Sequence, residues 1–320
     1  MVIVWRSWAA ALLISTSGSA FAQQAYPNKP IRLIVPFAPG GSNDIVARII
    51  GYKFGESFGQ QVIIDNRGGA SGIIGTDLAA KATPDGYTLL MMSLTLAVNP
   101  SLYKKLPYDT EKDLIPVSLV ASAPLILVVH PSLPVKSARE LIALARSRPG
   151  EINYAAGSLG AAPHLDAELF KAMGKLNIVR VAYKGTGGSL IGILSGEVGL
   201  MFPTAGSVTP YIKAGKLRAL AVTSLQPTAL APGLPLLSES LPGYESVSLN
   251  GMLAPARTPD NIIRQINAEV AKVMTRADIK EKLVAAGTDA MSTSPEEFAA
   301  IIRTDMAKWG KVIREAGIRE

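Results

Sequence analysis

The chain has 320 residues, with 32 Lys and Arg against 25 Asp and Glu, a formal net charge of +7, and no cysteine. The missing cysteine excludes a disulfide scaffold, thiolate metal sites, a cysteine nucleophile and a lipidated N-terminal cysteine. The basic residues are scattered, without the concentrated stripe or aromatic interleaving of a nucleic-acid binder, so the charge reads as a bias toward anionic ligands and no nucleic-acid partner is expected.

Arg6, the apolar stretch at 9–14 and Ser19-Ala20-Phe21-Ala22 supply the positive, apolar and small-residue regions of an export signal. The apolar run is shorter than the roughly 20 residues a bilayer span needs. Residues 1–22 are therefore expected to be cleaved near Ala22, releasing a soluble periplasmic protein. What remains, about 300 residues, exceeds what one core usually supports, so two domains are expected.

Beyond the signal, strand-like and helix-like segments alternate. Strands are expected at 31–35, 62–65 and 87–92, with helices at 43–58 and about 72–82. The first helix carries Ile45, Val46, Ile49, Ile50 and Phe54 on one face. A second series has strands at 125–130, 152–155, 178–183, 199–202 and 217–223, and helices opening near Ser137, Pro163, Gly188 and Ser207. Ser137 and Glu140 have capping-box spacing. A Pro/Gly-rich passage at 228–243 leads to a strand at 252–254 and a long helix opened by Thr258-Pro259. Ser294-Pro295-Glu296-Glu297 opens the last helix, with Ser as cap, Pro first and acids at the positive end of the dipole. Its stripe of Ala299, Ile302, Met306, Trp309 and Ile313 reads as core. Such alternation implies βαβ units and mainly parallel sheets. The C-terminal part has too few strands to stand alone and returns to the first lobe. Lobe 1 is then 23–123 and 251–320, lobe 2 is an insertion at 124–250, and the hinge crossings fall at 121–125 and 249–252.

Three strand-to-helix junctions, at 35–44, 154–164 and 183–189, are rich in glycine, and Lys184 is their only cation. Each presents backbone N–H groups at the positive end of a helix, which suits an anion, at the strand ends where open α/β sheets bind ligands. With one junction in the first lobe and two in the second, they are expected to face each other and hold a ligand with a carboxylate at each end. None matches the phosphate-cradling or dinucleotide patterns. Ala156-Gly157-Ser158-Leu159-Gly160 resembles a variant nucleophile elbow, so a serine hydrolase using Ser158 is the alternative. The required order Ser, acid, His fails, because the only histidines are His130 and His164, the latter six residues past Ser158. His164 and Glu168 lie one helical turn apart but lack a third metal ligand, so His164 is read as capping or lining the cleft. Asp44 would repel a carboxylate directly, and is read as shaping its loop or bonding through water. No catalytic residue, metal or cofactor is expected.

The run from Val35 to Arg48, Val-Pro-Phe-Ala-Pro-Gly-Gly-Ser-Asn-Asp-Ile-Val-Ala-Arg, resembles the opening signature of the Bug family, the TctC-like substrate-binding proteins of tripartite tricarboxylate transporters. Further blocks match in order: Asn66 to Gly75, Pro84 to Leu89, Asn99 to Tyr103, Pro163 to Glu168, Tyr183 to Gly185 and Leu253 to Ala256. The resemblance spans essentially the whole chain after the signal. It implies a two-lobed periplasmic binding protein of the Venus-flytrap, type II-like class, each lobe an α/β unit with a mainly parallel sheet flanked by helices. It implies a monomeric extracytoplasmic receptor for a small carboxylate, whether di- or tricarboxylate, acidic amino acid or aromatic acid, serving uptake or sensing. A tripartite tricarboxylate transporter permease would be the membrane partner. The family pattern implicates the first loop (Phe37, Ala38, Gly40, Gly41, Ser42) and the second (Ser158, Gly160, Ala161, Ala162, with His164), largely through backbone and bridging waters. Asn66, Ser93, Tyr183, Gly185, Thr204 and Asn250 complete the expected ligand set. Two departures stand out: Leu249-Asn250-Gly251 lacks the aromatic that often precedes this glycine, and Ser71 stands where glycine is usual.

Overall fold

Continuous apolar runs build two sheets whose central strands are buried on both faces. They are seen in a computed structural model that describes residues 26–318 apart from Leu94, Ser158 and Lys184. The export signal, Ser158 and Lys184 therefore lie outside the described residues. In chain order the elements are β1 (Ile31–Val35), α1 (Ser42–Phe58), β2 (Val62–Asn66), α2 (Ile73–Ala80), β3 (Thr88–Met92), α3 (Thr95–Leu102), β4 (Leu114–Pro124) and β5 (Ile126–Val129). There follow α4 (Ala138–Ser147), β6 (Asn153–Ala156), α5 (Ala162–Gly174), β7 (Val179–Ala182), α6 (Gly185–Leu194), β8 (Leu200–Met201), α7 (Ala205–Lys213) and β9 (Arg218–Val222). The last are α8 (Leu237–Ser240), β10 (Val247–Pro255), α9 (Asp260–Thr275), α10 (Ala277–Ala285), β11 (Asp289–Ala290) and α11 (Pro295–Glu315).

The first sheet has the order β11-β4-β10-β3-β1-β2 and the second β7-β6-β8-β5-β9. Both are mixed. Strands joined through helices pair in parallel: β1 with β2 and β3, and β6 with β7 and β8. The strands that carry the chain between sheets, β4, β5, β9 and β10, pair antiparallel. An antiparallel neighbour needs no crossover helix, so the mainly parallel arrangement expected from alternation holds only away from the hinge. Ile31, Leu33 and Val35 of β1 enter one core with α1 and α9, while Ile34 faces the opposite core with Phe298 of α11. In the second sheet Leu127 and Tyr154 face α4 and α5, and Ile126 and Ala155 face α6 and α7.

The chain crosses between sheets at Leu125, between β4 and β5, and again just before β10. Thr223 clasps both crossings. Its Oγ1 accepts from Leu125 N (2.8 Å), its N donates to Leu125 O (3.0 Å), and its carbonyl accepts from Ser246 N (3.0 Å). The second crossing thus falls a few residues before the expected 249–252, because Val247 already pairs with Pro124 in the first sheet. α11 spans both lobes. Phe298 and Ile302 pack with the first sheet, whereas Trp309, Val312 and Ile313 join the core beneath α5 of the second. Ser294 caps it with Glu297 in a reciprocal capping box, as its sequence suggests. At α4, Ser137 accepts from Glu140 N (3.1 Å), but the Glu140 carboxylate turns to Lys136 N (2.6 Å), so the box is not reciprocal. Among the described residues no helix is long and apolar enough to cross a membrane.

Candidate functional site

The first two glycine junctions share one backbone design. After β1, Gly40 takes a left-handed conformation (φ 83°) and Gly41 is extended (φ −79°, ψ 167°), whereupon α1 begins. After β6, Gly160 is left-handed (φ 71°) and Ala161 extended (φ −69°, ψ 153°), whereupon α5 begins. In each, the N–H of the left-handed glycine is held by a side chain four residues on. Gly40 N donates to Asp44 Oδ2 (2.8 Å), and Gly160 N to His164 Nδ1 (3.2 Å). This clamp fixes the loop. At α1 the N–H groups of Ser42, Asn43 and Asp44 are left without intrahelical acceptors, whereas at α5 only Ala162 N is left, because Pro163 has no N–H and His164 N donates to Ala161 O (2.9 Å). Gly41 and Ser42 are exposed.

The two clamps differ in charge. Burial disfavours the Asp44 anion, but hydrogen bonds from Arg48, Gly40 N and Asn66 outweigh it and hold the carboxyl below its usual range. Asp44 is buried and turned into the loop, where it accepts from Gly40 N and Asn66 Nδ2. His164 is only 2% exposed. Burial first, then Arg180 and Lys171, push it down to about 3, so the ring is neutral and Nδ1 is free to accept.

The other expected residues take varied places. The Asn66 amide is engaged, donating to Phe37 O (3.1 Å) and Asp44 Oδ1 (3.0 Å), and so braces the first loop. Phe37 is half-buried beside Gly72, and Ala38 is exposed. Ala162 opens α5. Ser93, at the end of β3, shares its hydroxyl with Thr95 (3.0 Å) at the start of α3. Thr204 occupies the N-cap position of α7 without a side-chain capping bond, and its Oγ1 donates to Ser207 Oγ (3.3 Å). At the third junction Gly185 is left-handed (φ 78°), and Ser189 Oγ donates to its carbonyl (3.2 Å). The Tyr183 ring runs beneath Gly188 and Gly192 of α6, leaving its backbone at the junction. Asn250 lies on β10 and is 1% exposed, with no partner for Oδ1 among the described residues.

Contacts draw these junctions together. A Cβ on Gly157 would sit 3.2 Å from Gly185 Cα, so the two second-lobe loops touch. A Cβ on Gly160 would collide with Leu102 of α3, a helix that packs Val98 and Leu102 into the second-sheet core and Leu96 into the first. The same helix and the residue after it hold the loop that follows β2, through Asn99 Nδ2 to Ser71 O (3.2 Å) and Tyr103 Oη to Ser71 Oγ (3.1 Å). That loop backs the first junction, since a Cβ on Gly68 would lie 3.2 Å from Ala38 N. Its residues Gly69, Ala70, Ser71 and Gly72 all have positive φ. Ser71 at φ 50° explains why glycine suits the position, since a side chain in the left-handed region costs about 1 kcal/mol.

A family model described as the tripartite tricarboxylate transporter family receptor, TctC, matches residues 46–318. The chain belongs to this receptor family. It is 36% identical to BugT of Bordetella pertussis over 313 residues, 96% of each chain. A solved structure described as R. palustris Rpa4515 with adipate has 36% identity and a TM-score of 0.81, covering 91% of this chain and 98% of that one. MatC from Rhodopseudomonas palustris with bound malate has 28% identity and a TM-score of 0.77, covering 90% and 100%.

The TctC receptor is thus a two-lobed extracytoplasmic solute-binding protein and not an enzyme. The hydrolase alternative falls with that finding, and the His164 ring, facing Gly160 N, is in any case committed to its loop. Glu168 is likewise engaged, by Tyr154 Oη and by Lys171 (2.9 Å). Sequence reasoning missed α3, whose Pro100 and short length hide it, although Asn99 to Tyr103 had stood out as a family block. It also missed Asn43, in the first turn of α1, whose buried Nδ2 has no acceptor among the described residues.

Proposed function

We propose that this receptor closes on a small dicarboxylate, one carboxylate at the N-terminus of α1 and the other at the N-terminus of α5. The observation that carries the reading is the pair of similarly clamped junctions, one per lobe, which leave Ser42, Asn43 and Asp44 N–H free at the start of α1 and Ala162 N–H free at the start of α5, each at the positive end of a helix dipole. Charge recognition falls mainly to the backbone: Arg48 is engaged by Asp44 (3.0 Å), and Arg180 donates Nη2 to Gly157 O (2.8 Å) while its buried Nε has no acceptor among the described residues. Asn43 Nδ2 supplies a side-chain donor beside the first carboxylate. The adipate and malate held by the two neighbours are both dicarboxylates, which supports this class over aromatic acids.

On this reading residues 1–22 are an export signal cleaved near Ala22, and the mature chain is a monomer that hands its ligand to a tripartite tricarboxylate permease or to a sensor. The lobes meet at the two crossings clasped by Thr223, with 23–123 and most of the C-terminal part in one and the inserted segment in the other. A thermal-shift screen of organic acids followed by calorimetry tests the function. Linear dicarboxylates should bind one per chain, and monocarboxylates of equal length at least roughly tenfold more weakly, equivalent to about 1.4 kcal/mol. Equal affinity for mono- and dicarboxylates would overturn the two-ended site.

A further inference from the structure

A cavity of about 330 Å3 lies between α11 and the β4–β10 pair, lined by none of the residues of the candidate site. Its walls are mostly apolar, with Leu119 of β4, Leu249 of β10, and Ile301 and Trp309 of α11. Three charged side chains line it: Glu245 ahead of β10, and Asp305 and Lys308 on α11. β4 and β10 contribute no charged group to it.

The three charges are unequally satisfied. Lys308 Nζ donates to Glu245 O (2.5 Å), approaches Glu245 Oε2 at 4.0 Å, and sits 5.1 Å from the centre of the Trp309 ring. Asp305 has no hydrogen bond or ion pair with any described residue. Burial pushes its carboxyl up to about 6, with Lys308 pulling it down and Glu245 pushing it up. Two carboxylates against one ammonium leave the cavity one negative charge in excess near neutral pH, and the excess sits on the unpaired Asp305. A half-desolvated carboxylate beside an apolar wall is stabilised by a cation that brings its own hydrocarbon surface. A volume of this size, lined by apolar side chains with a few convergent polar groups, suits a small organic molecule.

We propose that this cavity is a second ligand site, for a small organic ammonium ion whose nitrogen pairs with Asp305 and whose hydrocarbon part lies against Leu249, Ile301 and Trp309. The anion-binding junctions play no part in it, so it stands or falls independently of the carboxylate reading.

Benzylammonium is a suitable probe, with uncharged benzyl alcohol as its control, titrated by calorimetry into the full receptor. At pH 7.5 benzylammonium should bind saturably, one per chain, and at least tenfold more tightly than benzyl alcohol. Asp305→Asn, at a half-exposed position without partners, should fold normally and lose that preference. In the wild type, lowering the pH to 5 should weaken benzylammonium about tenfold, as Asp305 takes up a proton in competition with the ligand. No saturable binding at millimolar probe would overturn the proposal. So would equal affinity for the two probes, unchanged affinity in Asp305→Asn, or a flat pH profile.

Discussion

Gly41 and Gly160 occupy similar loops, yet a side chain meets opposite circumstances at the two. Gly41 has φ −79°, and a Cβ there would find only Ala38 O at 3.8 Å. Gly160 is left-handed, and its Cβ would strike Leu102. Gly41→Val should therefore fold with near wild-type stability while its branched side chain screens the first-turn N–H donors of α1. Dicarboxylate affinity, read by calorimetry, should fall at least roughly tenfold, about 1.4 kcal/mol. Gly160→Ala should instead lower stability by about 2 kcal/mol or more, from left-handed strain plus overpacking, in a urea titration. A Gly41→Val protein that binds as tightly as the wild type would show that the α1 backbone does not hold the ligand. Asp44 belongs to the same scale: a carboxylate that looks hostile to an anionic ligand is turned inward, where it orients the loop.

Helix α5 links the second proposed carboxylate site to the crossings. Its N-terminus carries Gly160 and His164, and farther along, the fully buried Asp166 accepts from Ser246 Oγ (2.8 Å), while Tyr244 Oη donates to Asp166 O (2.9 Å). Ser246 lies at the second crossing. Burial pushes the Asp166 carboxyl up to about 7, against the pull of Ser246, Lys308 and Tyr244. Between the ordinary value of 3.8 and about 7, the folded state keeps a proton that the unfolded chain releases. Stability is therefore lost as pH rises through that window, by on the order of 4 kcal/mol in total. His164 acts in the opposite sense. Neutral in the fold, it withdraws stability as pH falls below 6.5 toward about 3. The two partly cancel in the wild type, so the informative quantity is a difference. The stability of Asp166→Asn minus that of the wild type should rise between pH 4 and 7 and then level off, by denaturant titration at several pH values. A constant difference would mean that Asp166 ionises normally inside the protein.

The two lobes have more than the Thr223 clasp in common. Thr228 Oγ1 donates to Asp289 Oδ2 (3.1 Å), the backbones of Gly206 and Gly287 touch, and α11 lays one end on each core. Under the proposed closure these contacts hold the lobes together while rotation brings the glycine junctions toward each other. A ligand that touches both lobes favours the closed arrangement by its differential affinity for it. Small-angle scattering should record a smaller radius of gyration at saturating dicarboxylate than without it. A profile that does not change on saturation would remove closure from the account of binding.

Local chemistry made much of this legible in the sequence. Continuous apolar runs marked strands buried on both faces, Ser294-Pro295 marked a capped helix, and three glycine clusters marked the loops at strand ends, because each signal depends on residues only a few positions apart. β4 was not read, since Pro116 and Pro124 interrupt its pattern, and both become tolerable only where this antiparallel pairing is irregular or ends. The antiparallel course of the hinge strands, the division of α11 between two cores and the position of Leu102 against Gly160 depend on residues far apart in the chain. The same holds for which donors stay free: Asn66 and Asn43 look equally available in the sequence, yet one amide is engaged by Phe37 and Asp44 and the other has no acceptor among the described residues. Sequence alone determined the class of element and the chemistry of the loops, because backbone propensity and periodicity act locally. Tertiary structure decided which of those groups face a ligand and which face each other, because hydrogen-bond partners are assigned only when distant segments pack.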